Sequence, residues 1–307
     1  MKNKKIIIGS RGSKLAMIYA EKAKNQILKF NSEYQIEDIE IKKITTAGDI
    51  HQKERLSEIG GKGLFSKKIE EELLSKEIDI AVHALKDMPS FETDGLVTNC
   101  FLERNDPREV LISKNKVKFK DLKNNSIVGT SSFRREFQLR NIRNDLKYEL
   151  IRGNVDTRIN KLNGELYDAI ILSYAGIDCL NLNEHISEIL SIDEIIPSAG
   201  QGVIALQCRE KDEKINQVLN KVNHLNTFIS VQAERNVLKV LDGDCETAVG
   251  AISQIYDKTI KLRAELFSLD GKERFYYEDS KNITHAYELG LEIGENLKKQ
   301  SSGNYKK

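Results

Sequence analysis

Tryptophan is absent from this sequence, aromatic residues occupy only 7% of its 307 positions, and 48 Lys and Arg are balanced by 47 Asp and Glu for a formal charge of +1. A nucleic-acid binder needs a basic excess and, for single strands, aromatic faces on which bases stack, so composition argues against that class. Long apolar runs are missing too. A secretory signal needs an apolar core of about 7–15 residues and a membrane span about 20. The basic start Met1–Lys5 leads only into Ile6, Ile7 and Ile8 before Gly9. The cysteines, Cys100, Cys179, Cys208 and Cys245, form no C-x-x-C pair, and five scattered histidines give no H-E-x-x-H helix. Zinc ribbons, thioredoxin-like chemistry and zincin-type metal sites are thereby excluded. The expectation is a cytoplasmic protein of a reducing compartment, without a metal and without membrane or nucleic-acid partners.

What is present is patterned. Hydrophobic residues are 39% and charged residues 31%, spread without low-complexity blocks, so the chain can bury cores in two or three domains of about 100–200 residues. Strand and helix signals alternate, as in an α/β sheet. The apolar run at residues 5–8 is followed by Ser13 and then Ala16, Ala20, Ala23, Ile27 and Phe30 at helical spacing. A helix from Leu64 would carry Phe65, Ile69 and Leu73 on one face, and residues 78–82 and 96–102 read as strands. A second unit starts after Asn105-Asp-Pro-Arg108, with strands at 110–112, 126–130, 148–151 and 167–173 and helices from Ser132 and Asp156. Beyond Pro197-Ser-Ala-Gly-Gln-Gly202 come a strand at 203–206 and a helix through Phe228, Val231, Val237 and Leu241. A ladder at 249–256 and 260–267, a last strand at 274–278 and a helix from about Thr284 close a smaller α+β unit.

Chemistry gathers at the strand-to-helix turns: Gly9-Ser-Arg-Gly-Ser13, Gly60-Gly-Lys-Gly63, Gly129-Thr-Ser-Ser-Phe-Arg-Arg135 and Arg152-Gly-Asn-Val-Asp-Thr-Arg158. A helix start offers free N–H groups and a positive dipole end, which suit anions. A cation in a first turn opposes that dipole by a few tenths of a kcal/mol. One such Arg is an ordinary surface residue; four turns of this kind together point to a polyanion site. Neither G-x-x-x-x-G-K-[ST] nor a G-x-G-x-x-G after the first strand is present, so carboxylates are the more natural ligand than nucleotides. In His83-Ala-Leu-Lys-Asp-Met-Pro89, Asp87 could act as a general acid/base or steady a cation, or be a plain turn aspartate before Pro89. His83 alone reads as a packing residue at a strand end. Cys245, in Leu241-Asp-Gly-Asp-Cys-Glu-Thr247, has acidic neighbours that raise a thiol pKa, which argues against a protease-type nucleophile. A thiol alkylated once, and then merely a tether, fits better than a thiolate; an inert loop residue is the default.

Taken together, these segments resemble the porphobilinogen deaminase (hydroxymethylbilane synthase) family from end to end, most specifically in residues 59–65, 79–89, 128–135, 152–158, 167–172 and 197–202. The resemblance implies an α/β fold with two doubly wound domains like those of periplasmic binding proteins, flanking a cleft, plus a smaller C-terminal α+β domain. It places domain 1 at residues 1–102 and 203–220, domain 2 at 106–198 and domain 3 at 222–307. It implies a dipyrromethane cofactor in thioether linkage to Cys245, and a monomeric transferase that joins four porphobilinogen units head to tail, with loss of ammonia, into linear hydroxymethylbilane for tetrapyrrole synthesis. Asp87 matches the family's catalytic aspartate. Lys86, Ser13, Thr130, Ser131, Ser132, Arg134 and Arg135, with Asp87, match cofactor-binding positions. Arg11, Arg152, Arg158 and Lys62 match substrate-binding ones.

The sequence departs from the family pattern at Cys179, where an arginine is usual, at Glu58, often basic, at Tyr19, usually Gln, and at Asp244, usually Gly. The competing class is a solute-binding-type protein that holds a carboxylate ligand without chemistry; a third domain and the absent signal peptide speak against it.

Overall fold

The computed structural model describes residues 5–50, 63–164, 166–243 and 247–306. In chain order the strands are β1 (Ile6–Arg11), β2 (Ile39–Ile44), β3 (Ile80–Ala84), β4 (Leu96–Phe101), β5 (Glu109–Ser113), β6 (Ile127–Gly129), β7 (Lys147–Glu149), β8 (Ala169–Ser173), β9 (Glu188–Leu190), β10 (Ile204–Arg209), β11 (Val249–Tyr256), β12 (Thr259–Phe267) and β13 (Arg274–Asn282). The α-helices are α1 (Lys14–Phe30), α2 (Ala47–Ile50), α3 (Lys67–Leu74), α4 (Phe133–Ile142), α5 (Val155–Asn163), α6 (Tyr174–Cys179), α7 (Glu213–Val222), α8 (Leu225–Leu241) and α9 (Ala286–Ser301). They group into two compact units, one of residues 1–51, 59–105 and 202–228, the other of 52–58, 106–201 and 229–307.

The first unit is built on a sheet of order β2-β1-β3-β10-β4, parallel from β2 through β3 and antiparallel at β10. Strand alternation sends successive side chains to opposite faces. Ala81 joins Ile44, Ile69, Leu73, Ile78 and Leu96 in the core under α3. Cys208, opposite Ile80 on the other face, donates its thiol to Asn216 of α7 at 3.6 Å, and Asn31 at the end of α1 donates to the Val218 carbonyl of α7. Helices therefore cover both faces, the doubly wound arrangement. Helix α3 begins at Lys67, later than the spacing from Leu64 suggests. Gly63, at φ +82°, turns the chain so that its carbonyl accepts from both Ser66 and Lys67 N–H groups, leaving Phe65 outside the helix.

The second unit repeats the plan with order β7-β6-β8-β5-β9 and again an antiparallel fourth strand. Leu111, Val128, Leu139, Ala169 and Ile171 pack on the α4 face, while Val110, Ile112, Ile159, Ile170 and Ile177 pack on the face of α5 and α6. Burial of each large apolar side chain contributes about 1.5–3 kcal/mol. The same unit contains the antiparallel sheet β11-β12-β13. Its β12 residues Ile260, Leu262, Ala264 and Leu266 alternate into one core with Ala233, Val237, Leu241, Leu289, Ile293 and Leu297 of α8 and α9.

Helices α8 and α9 approach so closely that a Cβ on Gly290 would stand 2.2 Å from the Ala233 carbonyl oxygen. Alanine inside a helix is ordinarily better than glycine by about 0.5–1 kcal/mol, but relieving this clash requires the helices to part. Gly290→Ala is expected to cost about 1–3 kcal/mol, measured as a lower urea midpoint; a raised midpoint would show that the contact is not tight.

Candidate active site

Parallel pairing of β1 with β3, Ile8 opposite Ile80, brings the C-terminal ends of both strands to one edge of the first sheet. There β1 ends on Arg11, and Ser13 caps α1 by accepting the Ala16 N–H at 3.3 Å. Beyond β3 the chain makes one 3-10 turn, Leu85–Asp87, tied down by the Leu85 N–H donating to the Val203 carbonyl at 3.0 Å. Arg11, Ser13, His83 and Asp87 consequently line one recess with Tyr19, Phe65 and Met88, enclosing about 480 Å³ with its open mouth included. The Arg11 guanidinium lies 4.0 Å from the Phe65 ring centre, a cation–π contact worth about 0.5–1 kcal/mol where water still reaches it. Lys86 is half-buried in the same turn as Asp87.

His83 is buried, and burial pushes its pKa down to about 4, against the pull of Gln207 and Asp87 upward and with the help of Arg11. The ring is uncharged at neutral pH. It belongs to the recess, which its strand-end position alone did not reveal.

In the second unit, β6 feeds the turn at residues 130–132. Thr130 Oγ1 accepts the Ser132 N–H at 3.2 Å, and Ser132 Oγ caps α4 by accepting the Arg135 N–H at 3.4 Å. Ser131 is exposed. Arg134 and Arg135 turn inward: Arg134 Nη2 meets Glu109 Oε1 at 2.6 Å, and Arg135 Nη2 meets Glu109 Oε2 at 2.8 Å. Glu109 is 0% exposed, on the same face of β5 as Leu111, where α4 packs. Two cations share Glu109 as their direct partner, and buried Glu265 adds a further pull on Arg134. Burial lowers the Arg134 pKa, with Glu109 opposing. Arg135 Nε is buried without a hydrogen-bond partner among the described residues.

The following turn is shaped by Gly153 at φ +117°, where a Cβ would come within 2.8 Å of Thr157. Arg158 Nε donates to the Gly153 carbonyl at 2.8 Å, and Lys161 Nζ to the Arg152 carbonyl at 2.9 Å. Arg152 is buried and Arg158 half-buried. Cys179 is buried at the end of α6. Lys62, Glu58, Asp244 and Cys245 lie outside the described residues. The chain approaches Cys245 through a Schellman ending of α8: Gly243 N–H donates to the Leu238 carbonyl, Asp242 N–H to that of Lys239, and Asp242 takes φ +47°.

A family model described as "Porphobilinogen deaminase, dipyromethane cofactor binding domain" matches residues 6–217, and one described as "Porphobilinogen deaminase, C-terminal domain" matches 228–299. This chain belongs to the porphobilinogen deaminase family. Relatives named porphobilinogen deaminase include one from Chlorobium chlorochromatii, 41% identical over 97% of this chain and 96% of its own length. Another, from Staphylococcus epidermidis, is 42% identical over the same shares. A Bacillus subtilis protein described as a probable amino-acid ABC transporter extracellular-binding protein covers 72% of this chain and 90% of its own at 12% identity, with a TM-score of 0.44. That likeness is too distant to carry an argument, and the fold class rests on the sheet topology above.

For a member of the porphobilinogen deaminase family, two features were not legible in the motifs: the inward partner of the arginine pair, and His83 as a wall of the recess. A signal existed for the first, a glutamate heading the apolar run Val110–Ile112. Among the described residues no cluster of side chains could hold a metal, and no helix is long and apolar enough to cross a membrane.

Replacing Glu109 by Gln keeps its shape but leaves two guanidiniums buried side by side. Breaking a buried pair in this way costs about 3–5 kcal/mol. Glu109→Gln is expected to lose stability on that scale in urea unfolding; a midpoint unchanged from wild type would mean that the cluster is solvated.

Proposed function

We propose that this chain is a hydroxymethylbilane synthase that joins four porphobilinogen units head to tail on a dipyrromethane primer in thioether linkage to Cys245. The observation that carries the reading is the recess in which Asp87 stands with Arg11 and Ser13. In each step the aminomethyl C–N bond of porphobilinogen breaks, ammonia leaves, and the positive charge spreads over the pyrrole. A ring carbon of the growing chain forms the new C–C bond and gives up its proton, so each step releases one ammonium ion in all. The developing charge is positive, which suits a half-buried carboxylate: Asp87 stabilises the cation and orients the pyrrole N–H. Each ring also carries an acetate and a propionate. Arg11, held on Phe65, and Lys86 meet these in the first unit.

Dipyrromethane, when bound, supplies the nucleophilic pyrrole carbon for the first addition. The residues of the second unit fit its carboxylates: an arginine pair held by one shared glutamate, and Ser131 exposed at a helix start. Thr130 and Ser132 set the turn that presents them, and Arg152, Arg158 and Lys62 bind substrate carboxylates. The same reading makes the working unit a cytoplasmic monomer without nucleic-acid or membrane partners.

Asp87→Ala is expected to reduce kcat by about 10²–10⁴-fold with an unchanged circular dichroism spectrum and urea midpoint; near-normal kcat would remove the assignment. Intact mass tests the tether. Wild-type protein incubated with porphobilinogen is expected to carry two linked pyrrole units and to gain further single units, whereas Cys245→Ser gains nothing. An addition of equal mass on the Cys245→Ser chain would place the primer elsewhere.

A further inference from the structure

We propose that Glu70, acting through Gln207, locks His83 in its Nε2–H tautomer, and that this lock makes His83 a positioning residue for Asp87. The proposal rests on the reading of Asp87 as the catalytic carboxylate. Ala205 stands opposite His83 in the antiparallel pair β10–β3, so Gln207, two residues along, projects from the same face and reaches it diagonally. His83 Nε2 and Gln207 Oε1 are 3.2 Å apart, Gln207 Nε2 donates to Glu70 Oε1 at 3.1 Å, and Thr93 Oγ1 donates to Glu70 Oε2 at 2.9 Å. His83, Gln207 and Glu70 are all buried.

The direction of every bond follows from Glu70. A carboxylate only accepts, so Gln207 must turn its NH₂ towards α3 and its carbonyl oxygen towards His83. That oxygen also only accepts, so His83 must donate from Nε2, and Nδ1 is left with the lone pair. The charged groups around the ring are Asp87 from the 3-10 turn and Arg11 from β1, with Glu70 of α3 behind Gln207. Burial, which takes the His83 pKa to about 4, keeps the ring from acquiring a proton. An uncharged ring of fixed orientation gives Asp87 a rigid neighbour and does not itself pair with its charge. A ring that gained a proton would form an ion pair with Asp87 and withdraw that charge from the substrate cation, and one free to exchange tautomers could donate from Nδ1 instead, so that Asp87 would lose its fixed neighbour.

Glu70→Gln preserves volume but ends the relay in an amide that can donate, so Gln207 can reverse and both tautomers of His83 become accessible. The test uses the cofactor-loaded full chain with ¹⁵N-labelled histidine, the His83 signals being identified by their loss in His83→Asn. In the wild type the imidazole is expected to show a single Nε2–H pattern that does not titrate between pH 5 and 8. Glu70→Gln is expected to show mixed tautomers, still without titration in that range, because the Gln207 acceptor that raises the His83 pKa is weakened. Its kcat should fall about 10-fold, the lower end of what removal of an outer partner does to a metal-bound histidine, with KM changed less than twofold and the acid limb of the pH profile not moved upward. A Glu70→Gln protein with a fixed tautomer, or with wild-type kcat, would overturn the proposal. Should Glu70→Gln not fold, Gln207→Met removes the acceptor at similar volume and is read by the same two quantities. Asp87→Asn in parallel separates the two levels: if it stays active, the reading of Asp87 fails, whereas an inactive Asp87→Asn beside wild-type-like relay variants removes the relay alone.

Discussion

A carboxylate with no exposed surface, Glu109, organises the second unit. Burying an ion costs several kcal/mol unless partners meet it closely, and both oxygens here are met by guanidiniums, at 2.6 and 2.8 Å. Because Glu109 and Leu111 share a face of β5, this requirement fixes where α4 lies on the sheet. Arg134 carries the constraint further, donating Nη1 to the Ile196 carbonyl at 2.9 Å, where Gln138 Nε2 also donates and Gln138 Oε1 accepts the Ile196 N–H. A Cβ on Gly250 of β11 would stand 2.8 Å from that same carbonyl oxygen. One buried charge thus joins the doubly wound sheet to the C-terminal one. Glu234 of α8 repeats the device, accepting from the Gly200 N–H and from the Ser253 N–H and hydroxyl.

The first unit uses its acids in the same way. Asp79 takes the Ile7 N–H on one oxygen and the Arg209 guanidinium on the other, and Glu70 is satisfied by Gln207 and Thr93. These interior acids count in the formal charge of +1 without facing any ligand. A near-neutral chain can still present cationic turns, because net charge does not say where the charges lie. Net charge gives no sign of a polyelectrolyte partner and says little about a small polyacid bound at a few turns.

Local signals were legible in the sequence where one segment contains its own reason. Ser13 and Ser132 announce α1 and α4 and cap them, and the alternation at residues 260–266 gives β12 its buried face. Helix α7 carries its own signal in the same way, Asp212 capping it and Ile215, Val218, Leu219 and Val222 repeating at helical spacing. Strand β9, with three residues, is too short to show any period. The turns of the candidate site were legible because their residues are consecutive. The relay from His83 to Glu70 was not, since it joins residues 124 and 137 positions apart through a register that only the folded sheet defines.

On the function proposed above, the arginine pair combines a structural role with a binding one. Cations in the first turn of a helix oppose the dipole by a few tenths of a kcal/mol each, which has the right sign but is small beside the several kcal/mol of a buried ion triad. Glu109 therefore decides the geometry. It relieves the repulsion between two adjacent guanidiniums and fixes both. A guanidinium has five N–H donors, so a carboxylate on one edge leaves others for a second partner, as Arg134 shows by donating Nη2 to Glu109 and Nη1 to the Ile196 carbonyl. An anion arriving at such a pair meets cations already oriented, with no side-chain ordering left to oppose binding. A flexible lysine in the same turn would supply the charge but not the fixed direction, which accounts for arginine at both positions.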